Sequence, residues 1–517
     1  MFTLVGCAGH SDRTLEARSA LDAGRPQTAL QLYNEELEVK SEKELPEEIG
    51  GDNTLLLLDR SMILQQLTKY ELASRDLELA DKQIELLDFS RNALDSIGKY
   101  MFSDDTGPYK APPYEKLMIN TMNMVNYLAR GDLNGARIEA RRLAVMQKYL
   151  RDSENPAQAM MGPGSYLAGF TFEKSGRPDQ ALRYYDEALA FGNYQSLRDA
   201  VTRLSQVSGY STPRLRKLMS GEDPTKALAP AAESGLLSSI SLEPISNTSL
   251  GPTGESELFS SASLELGWSA PTPLGTRGSS LAKSPDAEIQ YLQEPGAGPD
   301  AAEAPGGAAS PPAEDDSGEI FAIVNFGRVP AKFAKRIPIG LALTYASAWM
   351  SPADHQRANE LALQGLVTWV NYPELGKARG TYDNPGFGLD GDWQQLEGAL
   401  AVDREVRSAY NHARGAIIAA AITRMIARIV AGNVAGKAAG DDALGLLLNL
   451  GTQATLTAVD TPDTRSWATL PARIAFGRVR VPPGKHQVLL TARGNKLTKT
   501  VDVPPKGFRV VAMTVLE

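Results

Sequence analysis

The chain has 517 residues, 42% of them hydrophobic, and a formal charge of −9 at pH 7. That length accommodates about two to four domains, and the acidic balance argues against a nucleic-acid partner, because phosphate neutralisation needs a basic face. A single cysteine excludes an intramolecular disulfide, and His10, His355, His412 and His486 do not fall at metal-ligand spacing, so no metal and no other cofactor is expected.

Residues 1–10 hold the cysteine. Leu4-Val5-Gly6-Cys7 resembles a bacterial lipobox, in which a small residue fits the signal peptidase and the thiol receives the lipid. Cys7 is therefore the expected lipidation site. Only Met1 to Gly6 precede it, short of the charged and apolar stretches a signal needs, so the start site is expected upstream. The following Ala8-Gly9-His10-Ser11 places no aspartate beside Cys7, which by the sorting rule favours the outer membrane.

Residues 11–219 carry recurring helical pairs. In GSYLAGFTFEKSGRPDQALRYYDEAL, small and aromatic residues stand at Gly169, Phe172, Gly176, Ala181, Tyr185 and Ala188. The small residues allow two antiparallel helices to approach, and Phe172 and Tyr185 fill the space between them. Gly24, Ala29 and Tyr33 repeat the offsets of Gly176, Ala181 and Tyr185. Ala73, Leu77 and Ala80 mark a third pair, and Gly131, Ala136 and Ala140 a fourth. These spacings resemble tetratricopeptide (TPR) repeats, helix–turn–helix units of about 34 residues that stack into a curved solenoid. Irregular spacing between the anchors makes this a TPR-like α-solenoid with insertions. Arg137 and Arg141 share a helix face four residues apart. With Tyr127 on the preceding helix, they are either a carboxylate-binding clamp in the concave groove or an ordinary solvated face.

Residues 220–317 are rich in Ser, Pro, Gly and Ala. Such a composition cannot bury enough apolar surface to offset chain entropy, so a disordered linker is expected.

From 318 to 470 an α+β domain is expected. EIFAIVNFG and GLVTWVNYPEL read as strands, IPIGLALTYASAW as an apolar run, PADHQRANELALQ as a polar helix and YDNPGFGLDGDW as a loop. That loop holds Asp383, Asp390 and Asp392, but an EF-hand register fails because its third position is Pro385. Val402 to Val434 reads as a long apolar helix interrupted by Arg407, Arg414, Arg424 and Arg428, which rules out a continuous membrane span. It is a core helix, or else an amphipathic one lying on a membrane or a partner. Asp441 or Asp442 can cap the stretch LGLLLNLGTQATL that follows.

Residues 471–517 alternate apolar and polar positions through RIAFGRVRV, QVLLTARG, NKLTKTVDV and FRVVAMTVLE. Val479, Val481, Pro483, Gly484, His486, Val488, Gly494, Val501 and Val503 resemble a PEGA-type module, a small β-sandwich-like domain, with His486 at the surface.

Four blocks in the same order, YEKLMINTMNMVNYLARGDLNGARIEARR, GSYLAGFTFEKSGRPDQALRYYDEAL, GEIFAIVNFGRVPAK and SWATLPARIAFGRVRVPPGKH, resemble a family of bacterial TPR-containing lipoproteins. The resemblance implies a location in the cell envelope, facing the periplasm; the repeats point to a non-enzymatic protein-interaction scaffold there, supporting cell-wall or outer-membrane assembly. It would bind other envelope proteins through the solenoid and the membrane through an N-terminal lipid anchor. The alternatives are a subunit of a secretion or surface-appendage complex, or an enzyme using Arg328, Asp383, Asp392, Asp403, Glu405 or His412. No G-x-S-x-G, P-loop or H-E-x-x-H motif accompanies those residues. The sequence does not set the oligomeric state.

Overall fold

A computed structural model describes residues 10–88, 109, 111–151, 158–225, 316–365, 367–377, 379, 382–439 and 462–517. Cys7, most of the 220–317 segment, and Asp441, Asp442 and the LGLLLNLGTQATL stretch lie outside them.

Helices fill the N-terminal region: α1 (His10–Arg13), α2 (Leu15–Asp22), α3 (Pro26–Glu36), α4 (Asp52–Gln66), α5 (Tyr70–Asp88), α6 (Pro113–Ala129), α7 (Leu133–Arg151), α8 (Met161–Lys174), α9 (Pro178–Ala188), α10 (Arg198–Val207) and α11 (Pro213–Ser220). One connection recurs four times among the described residues, joining α2 to α3, α4 to α5, α6 to α7 and α8 to α9. The second residue past each first helix takes a left-handed conformation, with φ of 67° at Gly24, 58° at Thr68, 77° at Gly131 and 69° at Gly176. The next amide then reaches back across the helix end, as in Arg25 N–H to Ala20 O (2.9 Å), Lys69 to Leu64 (2.8 Å), Asp132 to Tyr127 (2.9 Å) and Arg177 to Phe172 (3.0 Å). This is a helix C-cap that satisfies a terminal carbonyl and turns the chain through a tight corner.

The anchor residues read from the sequence occupy the seams of these hairpins. Ala29, Tyr33, Ala73, Leu77, Ala80, Ala136, Ala140, Ala181, Tyr185 and Ala188 are all buried. Gly169 is required for close approach, since a Cβ there would overlap the Tyr185 ring. Phe172 on α8 is buried and stacks on Tyr184 of α9 (5.2 Å between centroids, 6° between planes).

The first helices α4 and α8 are buried on every side, from Thr54 to Gln65 and from Met161 to Phe172. A helix buried all round must have partners on more than its own hairpin. Those partners are strands of the C-terminal region, because β10 packs on α4 and α6, and β6 packs on α8.

That region contains β1 (Gly318–Phe326), β2 (Lys332–Pro338), α12 (Ile339–Ala346), α13 (Pro352–Leu363), β3 (Trp369–Leu375), β4 (Gly386–Leu389), β5 (Asp392–Gln395), β6 (Glu397–Leu400), α14 (Val402–Ala439), β7 (Arg473–Val481), β8 (Gly484–Ala492), β9 (Asn495–Val503) and β10 (Phe508–Val515). One sheet runs β10-β1-β7-β6, a second β5-β4-β8-β9, and β2 and β3 form a ribbon. In the first sheet β1 pairs parallel with β10 and antiparallel with β7.

Two expectations are corrected here. The boundary between 470 and 471 does not separate two domains, since β7 and β10 are the direct neighbours of β1, and β8 pairs with β4. The glycine-rich YDNPGFGLDGDW stretch is not wholly a loop, because it contains β4 and the start of β5, paired in register from Gly386↔Gln395 to Leu389↔Asp392.

Strand β1 is buried along its whole length, and its two faces serve different layers. Ile320, Ala322, Val324 and Phe326 pack with Phe387, Val488, Leu490, Val501, Val511 and Met513 in the core between the two sheets. Phe321 and Ile323 belong instead to the larger core shared with the helices. A strand covered on both faces reads as a continuous apolar run, which is why EIFAIVNF shows little alternation. The described residues within 1–227 and 315–517 accordingly cluster as one compact unit.

The long helix is present as α14. Ile417, Ile418, Ala421, Ile422 and Ile426 on it are buried, and it packs on α12, α13 and β3. No helix among the described residues is long and apolar enough to cross a membrane.

Candidate functional site

The side of the helical region formed by α4, α6 and α8 is covered by the chain's own C-terminal residues. Three groups of side chains hold the junction.

The first is aromatic and cationic. Tyr166 and Phe170 on α8 meet Phe321 of β1 and Phe476 of β7, with centroids 4.6 Å apart for Tyr166–Phe476 and 4.5 Å for Phe170–Phe321. Beside them Arg478, on the helix-facing side of β7, donates to Glu173 (2.9 Å) and Glu319 (2.5 Å) and from Nη1 to Tyr185 Oη (2.9 Å). Lys174 adds a 3.0 Å bond to Glu173 and a further ion pair to Glu319. Burial alone would raise both carboxyls, but Arg478 and Lys174 outweigh it, lowering Glu173 and pulling Glu319 down to about 2.

The second is the extended segment entering β7. Trp467 is fully buried, its indole N–H donating to Leu58 O (3.1 Å) and its amide to Glu115 (3.1 Å). Thr469 donates from its amide (2.9 Å) and its hydroxyl (2.8 Å) to Asp59, which also accepts from Tyr33 (3.1 Å). Arg465 holds Asp463 (2.9 Å) and Asp52 (3.2 Å). Glu115 receives the Tyr109 hydroxyl as well, yet burial dominates and pushes its carboxyl up to about 7.

The third is an amide relay, in which Gln65 accepts from Asn325 of β1 (3.0 Å) and Thr514 of β10 (2.8 Å) and donates to Asn126 (2.8 Å).

The structure does not bring Tyr127, Arg137 and Arg141 into one clamp. The Tyr127 ring lies against Gly135, where a Cβ would overlap it, and its hydroxyl donates to Glu78. Arg137 bonds Asn134 one turn away, and Arg141 is exposed. The arginines share the outer side of α7, whereas Tyr127 is a packing residue of the α6–α7 hairpin. Between them Glu139 is buried and accepts from Asn120 (2.9 Å) and Arg142 (3.0 Å).

The polar candidates of the C-terminal region are likewise dispersed. Arg328 is buried at the end of β1 and reaches Asp22 and the Arg18 carbonyl; burial lowers its pKa to about 10. Asp403 pairs with Arg473, Glu405 is half-buried with its carboxyl raised by burial, and His412, Asp383 and Asp392 are exposed. His486 is half-buried rather than free at the surface, its Nδ1 bonded to Asp390 (2.6 Å), which raises the imidazole and lowers the carboxyl. No group of three or more His, Cys, Asp or Glu suited to a metal ion is found among the described residues.

Sequence reading missed Trp467, Arg478 and Glu115 as residues that join the helices to the C-terminal sheet. The available signal was a tryptophan in SWATLPAR, a short segment broken by Pro471 that shows neither helical nor strand periodicity. Comparison of the chain with family models, curated proteins and solved structures finds no match.

Proposed function

We propose that the protein is a non-enzymatic scaffold of the bacterial cell envelope. In this reading its helical hairpins are tetratricopeptide-like and Cys7 carries a lipid anchor facing the periplasm. The observation that carries the scaffold reading is the fourfold recurrence of one capped helix–turn–helix connection, at Gly24, Thr68, Gly131 and Gly176. Stacked hairpins of this kind supply extended rigid surfaces for other proteins.

Within that reading the partner surface keeps Arg137 and Arg141 and loses Tyr127, which packs against Gly135 and donates to Glu78. A groove packed with Tyr166, Phe321, Phe476 and Trp467 has no free wall to offer. The outer side of α7, with Arg137 and exposed Arg141, is the surface this reading assigns to an envelope protein bearing carboxylates. Its test is to express the gene from its native locus with upstream DNA and fractionate wild type beside Cys7→Ala. Membrane-bound wild type with a released or unprocessed variant supports the anchor, and two soluble cytosolic proteins overturn the envelope reading. Crosslinking in cells then checks the surface: Arg137→Ala/Arg141→Ala has to lose a species that wild type captures.

A further inference from the structure

We propose that Trp393 and the loops around it form a binding site for an acidic saccharide. The site stands on the geometry of the second sheet and goes beyond the scaffold reading, on which it does not depend.

Trp393 opens the outward side of β5 and pairs with Gly388 on β4. Its indole lies flat along β4: a Cβ at Gly386 would overlap the ring, and one at Gly388 would come within 3.3 Å of it. Glycine is unfavourable in a strand and often marks a place where another group approaches closely. Here two glycines at i and i+2 clear one side of the strand for one ring. The ring's other face is open, and Trp393 remains 57% exposed. The residue therefore forms a fixed, half-covered aromatic platform.

The platform floors a recess of about 590 Å³ between the β4–β5 hairpin and the β8–β9 turn. Asp383, Asn384, Thr491, Arg493 and Lys496 line it beside Trp393. Arg493 has φ of 49° in the turn, and its guanidinium lies 5.0 Å from the Tyr382 ring centroid, which fixes its direction. Asp383 and Lys496 make no ion pair among the described residues.

A pyranose ring matches this arrangement. Its C–H face is complementary to the negative face of an indole, and its hydroxyls require the mixed donors and acceptors that Asp383, Asn384 and Thr491 provide. Two cations against one carboxylate leave a positive surplus, which selects a sugar carrying an acidic group. A stacked nucleobase is the competing occupant. The chain's formal charge of −9 and the carboxylate within the recess oppose a polyanion.

The test uses the full chain with three probes: a tetrasaccharide of alternating N-acetylglucosamine and N-acetylmuramic acid, neutral chitotetraose, and octathymidylate. Binding is followed by calorimetry and by tryptophan fluorescence. The acidic tetrasaccharide is expected to bind and quench fluorescence, and Trp393→Ala to weaken it by about tenfold. Lys496→Gln should lower its affinity to that of chitotetraose and leave chitotetraose binding unchanged. If Trp393→Ala does not fold, the exposed-residue variant Lys496→Gln decides the matter, having to weaken the acidic probe. The proposal is overturned if the acidic tetrasaccharide fails to bind at millimolar concentration or binds every variant as well as wild type. Preferential binding of octathymidylate with the same Trp393 dependence overturns it too.

Discussion

Arg478 on β7 and Glu173 on α8, 305 positions apart in the chain, meet at 2.9 Å with side chains only 3% and 7% exposed. The pair ties the C-terminal sheet to a helical hairpin, and Glu319 on the adjacent strand shares the same guanidinium. Removing one partner of a buried ion pair leaves an uncompensated charge, which costs about 3–5 kcal/mol. Arg478→Leu is therefore expected to lower unfolding stability by about that amount, measured by urea titration. Adding Glu319→Gln should recover part of the loss, since one stranded carboxylate disappears. A loss below about 1 kcal/mol, the range of exposed pairs, would contradict the role given to this cluster.

Stability should depend on pH in two windows of opposite sign. Glu115 rises from 4.5 to about 7 in the folded protein because it is buried. The folded state then binds a proton that the unfolded chain has released, so this contribution is fully present below pH 4.5 and is lost as pH rises through about 7. The shift corresponds to roughly 3 kcal/mol. Glu319 moves the other way, to about 2, so its contribution is present above pH 4.5 and is lost as pH falls toward 2. Denaturant midpoints should decline between pH 5 and pH 8 in wild type, and Glu115→Gln should flatten that decline. An unchanged slope in the variant would assign the dependence to another group.

The repeated turn offers a stabilising substitution. Thr68 occupies with φ of 58° the position that Gly24, Gly131 and Gly176 hold in the other hairpins. A left-handed conformation costs an L-residue about 1–2 kcal/mol, and β-branching makes the strain worse. Thr68→Gly removes that strain while adding freedom to the unfolded chain, for an expected net gain of about 0.5–1 kcal/mol. Gly176→Ala should do the reverse. A Cβ there meets nothing within 4 Å, so its cost of about 1 kcal/mol is purely conformational. Thermal melting of the two variants checks both signs.

What was legible in the sequence follows from the range of the interactions. Hairpin anchors such as Gly176, Ala181 and Tyr185 act over five to nine residues, and β8 and β9 announce themselves by alternation around the Arg493-Gly494 turn. Non-local pairing leaves no such local trace. Nothing near FRVVAMTV indicates that β10 lies parallel to β1, almost two hundred positions earlier, and the assumed division at 470 and 471 came from treating the last strands as self-sufficient. Arg478 reads as an outward polar position in RIAFGRVRV because its counter-ions are on other elements. Glycine-rich β4 was read as loop since glycine disfavours strands, whereas here Trp393 needs the space.

The last consequence concerns the helical region and the C-terminal region. Their junction contains apolar rings at van der Waals separation, the Arg478 cluster, and the Trp467 segment inserted between Leu58 and Glu115. Buried aromatic contact of this extent resembles a domain core more than a transient docking surface. If a protease site is inserted between residues 228 and 314 and the purified protein is cut there, the fragments should remain together. Native size-exclusion chromatography should give one peak containing both fragments, and only denaturant should separate them. Adding Phe321→Ala, which removes a ring facing both Tyr166 and Phe170, should cost about 3–5 kcal/mol and lower the denaturant concentration at which they part. Fragments that elute separately without denaturant would mean that the junction is only loosely packed, which would leave α4, α6 and α8 open to a partner in trans.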